Sequence, residues 1–206
     1  MDPRVTEVID SQRKTFEAMG CLADDAEPDF TDVDRTFKIW RGWGREIGQR
    51  EMLEVHRDQM KDTLIWDIEQ GIDLTGPEVG WAEVKRMELF QRMHKFMEHY
   101  EFLICPVSQV PPFDVKQRYI TEINDVKMET FIDWMKSCYY ISVTGHPAIS
   151  VPCGFTSDGL PVGVQIVGRH HDDFGVLQLA YAFQQATEFW KRHFVIQPQG
   201  LPGCHA

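Results

Sequence analysis

Histidines and aspartates stand side by side at residues 170–173 (HHDD), and both side chains bind zinc and related ions. Adjacent residues at the start of a helix rarely converge on one centre. We therefore expect a solvated turn in which Asp172 or Asp173 caps the next helix, and we predict no metal site. His94 and His99 are five residues apart, so they do not share a helix face as the i, i+4 pair of a zinc-binding helix does.

The cysteines are a second source of possible chemistry. They are odd in number, widely spaced and without a C-x-x-C pair, which predicts reduced structural thiols. The five are Cys21, Cys105, Cys138, Cys153 and Cys204. A cysteine nucleophile with His146 as its base is an alternative for Cys105, Cys138 or Cys153. These three lie in apolar runs, which raise the thiol pKa and suppress reactivity, so we do not favour it.

Carboxylates and lysines complete the candidates. A pair of carboxylates for general acid–base catalysis is one interpretation of Glu122, Asp125 and Glu129. The helix dipole alone, however, favours a negatively charged loop beside a helix N-terminus. A catalytic lysine has to be buried to lose its proton near neutral pH, whereas Lys127 and Lys136 stand among polar residues. We predict solvated charges at both places.

Composition excludes several classes of function. The 206 residues carry a formal net charge of -11, and no basic stripe interleaved with aromatic residues is present, so we do not expect nucleic acid as a partner. The longest apolar runs are far shorter than the roughly twenty residues that span a bilayer. No apolar leader segment precedes residue 14, and we expect a soluble, cytoplasmic protein without a membrane partner.

The elements that would position a site alternate irregularly between helices and strands. Helical spacing and capping signals predict helices at 3–19, 37–47, 60–71, 75–100, 128–140 and 173–188, and apolar runs predict strands at 102–106, 148–155 and 161–169. The turn at 156–159 contains Asp-Gly and predicts a hairpin between the last two strands. Residues 109–125, with two adjacent prolines, are predicted to be a loop. This pattern is that of part of an α/β fold.

One segment resembles a known family closely. Residues 140–169, YISVTGHPAISVPCGFTSDGLPVGVQIVGR, contain a Thr-Gly-x-Pro-Ala turn, an Ile-Ser-Val-Pro-x-Gly strand and a Gly-Leu-Pro-Val-Gly-x-Gln return. This combination resembles the C-terminal hallmark of the amidase signature family. The resemblance implies an α/β, partial amidase-signature fold, with mixed sheet strands covered by helices. It implies a C-terminal part of an amidase domain over residues 1–195, followed by a tail at 196–206.

The same resemblance implies amide hydrolysis by a Ser-cis-Ser-Lys triad, without a cofactor. The six serines of this sequence are all isolated, and no Gly- and Ser-rich stretch is present to supply the nucleophile and its oxyanion hole. No catalytic residue is therefore assigned, and the chain by itself is expected to be inactive. An amide substrate is expected only when the missing N-terminal half is present.

The loop after the first strand and the helix that follows residue 131 resemble parts that wall the substrate channel in this family. The residues assigned to substrate binding on this basis are Pro106, Val107, Ser108, Phe131, Met135 and Cys138. A strand terminus with a satisfied hydroxyl remains an alternative for Ser108. The alternative function is a non-enzymatic protein that associates with a partner or forms a homodimer, because a partial sheet exposes an unpaired edge.

Overall fold

The computed structural model describes residues 1–192. Its helices are α1 (Pro3–Ser11), α2 (Arg13–Ala18), α3 (Val33–His56), α4 (Asp62–Ile72), α5 (Gly76–His99), α6 (Lys136–Thr144) and α7 (Asp173–Thr187). Its strands are β1 (Phe102–Pro106), β2 (Glu122–Ile123), β3 (Val126–Lys127), β4 (Ala148–Phe155) and β5 (Pro161–Gly168). The predicted α/β class, with mixed strands covered by helices, is confirmed. The predicted tail at 196–206 lies outside the described residues.

A three-stranded antiparallel sheet forms the centre, in the order β1-β5-β4. The predicted β4–β5 hairpin is confirmed. The last strand in sequence is the middle strand in space, because β1 pairs with β5 and places Cys105 opposite Gln165. Strand β4 lies at an edge, where Pro152 removes no ladder hydrogen bond from the interior of the sheet. A register shift follows Pro152, and Gly154 adopts a φ of 146° there, where an added Cβ would lie 2.9 Å from Val8.

Helices α1, α2 and α7 cover one face of this sheet. The strands contribute alternate residues to an apolar core, as period-two alternation requires. Its buried members are Val5, Val8, Phe16, Val151, Cys153, Val162, Val164, Ile166, Ala180 and Phe183. Phe183 is fully buried and stacks on Phe16 with ring centroids 4.8 Å apart. This face of the sheet is closed to water.

Helices α5 and α6 cover part of the opposite face. Met93, Met97, Leu103, Ile141 and Val167 form the core there, and α3 packs outside it through Val33 against Leu89 and Val143. The long helix α5 begins with the predicted capping box, in which the Thr75 hydroxyl accepts from the Glu78 backbone and the Glu78 carboxylate accepts from the Thr75 backbone. The α5–α6 layer stops short of β4, whose Ser150 and Pro152 remain exposed.

Helices α3 and α4 cross at two glycines. An added Cβ on Gly71 would lie 2.1 Å from the Gly42 carbonyl oxygen, so the backbones are in direct contact. A buried ion pair reinforces the crossing, since the Arg41 guanidinium donates to the Asp67 carboxylate over 2.9 Å from Nε. Glycine at position 71 is therefore a steric requirement of this helix pair, and an added Cβ on Gly42 would lie 3.2 Å from the Gln70 backbone, a tight contact.

Two of the helices predicted in the N-terminal part of the chain have different bounds in the structure. The helix predicted at 3–19 is interrupted at Gln12, where the Ser11 hydroxyl donates to the Val8 carbonyl and competes with the backbone ladder. The helix predicted at 37–47 runs from Val33 to His56. Its polar second half carries no apolar stripe, but it packs against α4 and is supported by i, i+4 ion pairs of Arg50.

Two predictions in the middle of the chain were also wrong. The helix predicted at 128–140 begins only at Lys136, because the Asp133 carboxylate accepts from the Thr130 backbone and holds the preceding residues in a turn. The loop predicted at 109–125 is interrupted by the short β2–β3 hairpin, whose turn residues Asn124 and Asp125 both have positive φ. Such φ values suit the tight turn of a two-residue hairpin.

Candidate functional site

An open groove of about 320 Å³ lies on the uncovered part of the sheet. Its lining comes from α1, the loop after β1, the turn before α6 and strands β4 and β5. The lining residues are Val5, Val107, Ser108, Val110, Pro111, Pro112, Phe113, Trp134, Ser150, Pro161, Val162 and Gly163. None of these side chains carries a charge. The groove is therefore an apolar site with two hydroxyl groups, those of Ser108 and Ser150.

The floor of the groove depends on Gly163 in β5. An added Cβ there would lie 3.1 Å from the Ser150 hydroxyl oxygen and 3.6 Å from a methyl group of Val107. Any side chain at this position would reduce the space between the strand and the loop. Ser150 stands exposed on edge strand β4, and its hydroxyl makes no hydrogen bond to another residue of the described chain.

One wall is the loop 107–113, which its own hydrogen bonds hold in shape. The Ser108 hydroxyl donates to the Val110 carbonyl over 2.8 Å and accepts from the Val110 backbone over 3.3 Å. The carbonyl of Gln109 accepts from the backbone of Asp2 at the start of α1. The aromatic end of the groove is formed by Phe113 and Trp134, whose rings meet edge to face with centroids 5.4 Å apart.

A buried glutamine ties the two walls together. The Gln165 amide donates to the Cys105 sulfur over 3.3 Å and to the Ser137 carbonyl over 3.4 Å. The Ser137 hydroxyl in turn donates to the Val107 carbonyl over 2.9 Å. These contacts fix α6 against the loop after β1. Sequence reasoning missed this role, although a glutamine in the otherwise apolar strand β5 is an available signal.

The structure separates the six predicted substrate-binding residues into groups. Val107 and Ser108 line the groove, and Pro106 ends β1 directly before them. Phe131 points elsewhere and meets the Trp66 ring edge to face at 5.4 Å. Met135 and Cys138 are not among the lining residues. The role of all six in substrate binding stays a prediction. Trp134, Ser150 and Gly163 were not assigned to the site from the sequence, although Ser150 and Gly163 stand in the hallmark segment 140–169.

A second cavity, of about 380 Å³, lies between α3, α4 and the turn 129–132. Several of its lining residues are charged, and partly buried ion pairs form its base. Lys38 lies 2.8 Å from the Asp133 carboxylate and 2.9 Å from that of Asp34. Asp34 also accepts a hydrogen bond from the Tyr139 hydroxyl. Because these charges satisfy one another, the arrangement is that of a structural network.

The thiols differ in environment. Burial raises the pKa of Cys105 to about 11 and that of Cys153 to about 12, so both are protonated at neutral pH. The prediction that apolar surroundings suppress these two thiols is confirmed. Cys138 is exposed, and the prediction that it lies in an apolar environment was wrong because α6 turns this side chain toward solvent.

His146 is buried beside α5 and is not among the residues that line the groove. Its Nδ1 lies 3.1 Å from the Thr144 carbonyl oxygen, and its ring packs 5.5 Å from that of Phe90 and 5.8 Å from that of His170. Burial lowers its pKa, and the nearby His170 and His94 act in the same direction. Because its ring packs against Phe90 and His170 and is not part of the groove lining, His146 is not placed to take a proton from a nucleophile there.

The remaining candidates are dispersed. The Asp172 carboxylate accepts a hydrogen bond from the Gly175 backbone and caps α7. Of the two residues predicted as caps, Asp172 and Asp173, the cap is Asp172. Glu122, Asp125 and Glu129 are exposed, and Lys136 lies 3.8 Å from Asp34.

Across residues 1–192, no three histidine, cysteine or acidic side chains are grouped as metal ligands. Within the same residues no helix has the length and apolar character required to cross a bilayer.

Comparison with known sequences agrees with the hallmark segment. A family model described as Amidase matches residues 11–177. An acylamidase from Rhodococcus erythropolis is 31% identical over 189 residues, which is 89% of this chain and 39% of the relative. A glutamyl-tRNA(Gln) amidotransferase subunit from Thermodesulfovibrio yellowstonii is 36% identical over 117 residues, which is 53% of this chain and 22% of the relative.

Solved structures show the same fold. A 6-aminohexanoate cyclic dimer hydrolase complexed with substrate superposes with a TM-score of 0.78 at 19% identity, over 93% of this chain and 43% of that one. A bacterial aryl acylamidase of the amidase signature family gives 0.74 at 20% identity, over 92% and 41%. The chain spans about two fifths of the length of these enzymes. The family model matches most of the chain, and the acylamidase is 31% identical over 89% of it. This chain therefore belongs to the amidase signature family.

Proposed function

We propose that this chain is the C-terminal part of an amide hydrolase, that it forms the sheet and one wall of the substrate groove, and that it does not hydrolyse amides alone. The supporting observation is the groove itself. It opens on the one part of the sheet that the described helices leave uncovered, beside Ser150 and Gly163. In a complete enzyme of the family the catalytic residues would have to face this opening.

The residues that line the groove do not include the groups that hydrolysis of an amide requires. A serine nucleophile needs a base within hydrogen-bond reach, and no lysine or histidine is among the lining residues. The Ser108 hydroxyl is already bonded to the backbone of its own turn. Within residues 1–192, Ser150 stands without a partner that would take its proton. The chain therefore contributes shape and contact area, and the Ser-cis-Ser-Lys triad implied by the family has to come from elsewhere.

Amide hydrolysis by the purified chain tests this proposal. The chain is incubated with aliphatic and aryl amides and, separately, with a serine-directed fluorophosphonate probe, and the Rhodococcus acylamidase serves as the active control. We expect no turnover above buffer and no covalent label, while circular dichroism shows a folded sample. Turnover together with a labelled serine would contradict the proposal and would identify a nucleophile by its peptide.

A second function, association with another chain, is favoured by exposed apolar residues on α7. Phe174, Leu177 and Tyr181 recur at i, i+3 and i+7, and each is more than half exposed. The outer edges of β1 and β4 also have no partner strand within residues 1–192. Both features suit a partner protein or a second copy of the chain.

Sedimentation velocity over a range of concentrations tests association. We expect a concentration-dependent dimer that Leu177→Glu abolishes, because a charge in an apolar interface is costly to bury. Val115→Glu is the matched control, since Val115 is almost fully exposed in a loop away from α7. A monomer at every concentration would reject self-association.

A further inference from the structure

Three histidines from separate elements meet around one phenylalanine ring. Phe90 and His94 lie on α5. His146 lies in the turn between α6 and β4, and His170 lies in the turn between β5 and α7. The centroid of the Phe90 ring lies 5.5 Å from that of His146 and 5.0 Å from that of His170, and the His94 ring stacks on it at 6.1 Å. These four residues, here called the histidine cluster, join both turns to α5.

His146 is the buried member of the histidine cluster, with 7% of its surface exposed. Its Nδ1 lies 3.1 Å from the Thr144 carbonyl oxygen. Because a carbonyl only accepts, Nδ1 carries the proton of the neutral ring. Within residues 1–192, Nε2 is buried and has no hydrogen-bond partner. A second proton, which Nε2 would take up, would therefore create a buried cation whose new N–H has no acceptor, and this is unfavourable.

The two turns bring no carboxylate that offsets such a cation. The titratable residues of the turn after β5 are Arg169, His170, His171 and Asp172. Arg169 donates to the Met97 carbonyl, and Asp172 caps α7. The His171 ring lies on that of His170 with centroids 3.8 Å apart. Residues 137–147, which lead from α6 into β4, contain no Asp, Glu, Lys or Arg.

On α5, the other charged residues on the face of the histidine cluster are engaged elsewhere or exposed. Arg86 lies one turn before Phe90, and Glu98 lies one turn after His94. The Arg86 guanidinium packs over the Trp40 ring, and Glu98 is exposed to solvent. His94 is therefore the group by which α5 acts on the charge of His146.

Protonation of His146 is unfavourable while the turns are in place. Burial is the main cause that lowers the pKa of His146, the hydrogen bond to Thr144 raises it, and His170 and His94 lower it again. When the turns open, the ring meets water and its pKa returns to about 6.5. The closed arrangement is thus fully favoured above about pH 6.5, and it loses stability as the pH falls toward the folded pKa.

We propose that the histidine cluster is an acid-sensitive contact, which holds the turns 144–147 and 169–172 against α5 at neutral pH and releases them in mildly acidic solution when His146 takes up a proton. The two turns are released together, because the Gly168 backbone donates to the Pro147 carbonyl over 3.0 Å. Strand β4 begins directly after the first turn and carries Ser150 of the groove, so the release loosens this edge strand. The proposal does not depend on amide hydrolysis.

Amide hydrogen exchange tests the release. The purified chain is kept in EDTA, so that no metal ion masks the histidine charges, and exchange is followed by mass spectrometry at about pH 7.5 and about pH 5.5. After correction for the intrinsic pH dependence of exchange, protection of residues 144–150 and 168–173 should fall about tenfold, the value for one proton that only the open form binds. Residues 162–167 of β5 should stay more protected than both turns, which distinguishes local release from unfolding of the chain.

Three variants assign the effect to the histidine cluster. His146→Asn keeps an amide donor near the position of Nδ1 but does not titrate, so its loss of protection should be less than about twofold. His170→Gln changes an exposed residue, which leaves folding intact, and it removes a charge that faces His146. Its loss should lie between that of the wild type and that of His146→Asn. His56→Asn is the control, because His56 is exposed at the end of α3, and the tenfold loss should remain.

Each contrary outcome overturns the acid-sensitive contact. Equal protection of the turns at both pH values in the wild type would show that no release occurs. The full tenfold loss in both His146→Asn and His170→Gln would assign the pH dependence to other groups. Equal exchange of the turns and of β5 at the lower pH would show that the whole chain unfolds. None of these results bears on amide hydrolysis, which turnover and covalent labelling measure separately.

Discussion

The covered face of the sheet and the α3–α4 helix pair are held together by different means. On the sheet, alternate residues such as Val151, Val164 and Ile166 are buried under α1, α2 and α7, and no charge enters the layer. At the helix pair, Gly42 meets Gly71 backbone to backbone, and the buried Asp67 carboxylate of α4 pairs with Arg41 of α3. Beside this contact, Lys38 of α3 pairs with the buried Asp133 carboxylate in the turn before α6.

The difference bears on how each region tolerates change. An apolar layer depends on summed area and volume, so its stability falls in proportion to the atoms removed. The helix pair depends on individual partners, because a buried carboxylate that loses its cation keeps its desolvation cost. The covered face should thus respond to truncation, and the helix pair to added bulk or to lost charge.

The largest effect is expected from Phe183→Ala in the covered face. Phe183 is fully buried and stacks on Phe16, so its truncation leaves a cavity and should lower the free energy of unfolding by about 3–5 kcal/mol. Urea unfolding followed by circular dichroism measures the change. Phe174→Ala on the exposed side of α7 is the control, with an expected change within about 0.5 kcal/mol. Similar losses in both variants would contradict the closed layer.

A methyl group at the helix crossing should have the next largest effect. Gly71→Ala places a Cβ 2.1 Å from the Gly42 carbonyl oxygen and should destabilise the fold by about 1–3 kcal/mol, in spite of the better helix propensity of alanine. Gly80→Ala in α5 meets nothing within 4 Å and should stabilise by up to about 1 kcal/mol. Thermal unfolding of the two variants measures opposite shifts. Stabilisation by Gly71→Ala would mean that the helices do not touch there.

The smallest effect is expected at Asp133, and it depends on pH. Burial raises the pKa of Asp133, but hydrogen bonds from Lys38 and Thr130 outweigh burial, and the pKa lies below its usual value. The ion pair therefore stabilises the fold above the unfolded pKa of about 3.9, and this contribution is lost as the pH falls through the folded pKa. Asp133→Asn should destabilise by about 1–2 kcal/mol at pH 7, since Lys38 keeps Asp34 as a second partner.

Urea unfolding at about pH 7 and about pH 3 measures this dependence. The difference between wild type and Asp133→Asn should shrink at the lower pH, where the wild-type carboxylate begins to take up its proton. Glu129→Gln is the control, because Glu129 is exposed in the same turn and forms no ion pair within residues 1–192. A difference that stayed the same at both pH values would show that the charge of Asp133 does not stabilise the fold.

Much of the local structure was readable from the sequence. The Asp-Gly turn and the alternation on either side of it predicted the β4–β5 hairpin, and Thr75 with Glu78 predicted the start of α5. The extent of α3 and the late start of α6 were not readable. Helix α3 is extended by its contact with the distant helix α4. The late start of α6 follows from a local hydrogen bond, in which the Asp133 carboxylate accepts from the Thr130 backbone, and the same carboxylate also pairs with the distant Lys38.

The candidate site divides in the same way. Val107 and Ser108 were assigned to substrate binding because their loop resembles a part of the family's substrate channel, and the structure places them in the groove. Trp134, Ser150 and Gly163 were missed, since nothing in their local spacing indicates that they face one opening. Phe131 was assigned to the same wall, but its ring packs on Trp66.

The sequence by itself determined the family, the hairpin, most of the helix starts and the absence of paired serines, because these depend on short spacings and on residue types. Only the tertiary structure decided that β5 lies between β1 and β4, and that Gln165 joins Cys105 to α6. Strand order and groove lining depend on contacts between residues far apart in the chain. Local propensity and periodicity do not encode which distant partners meet.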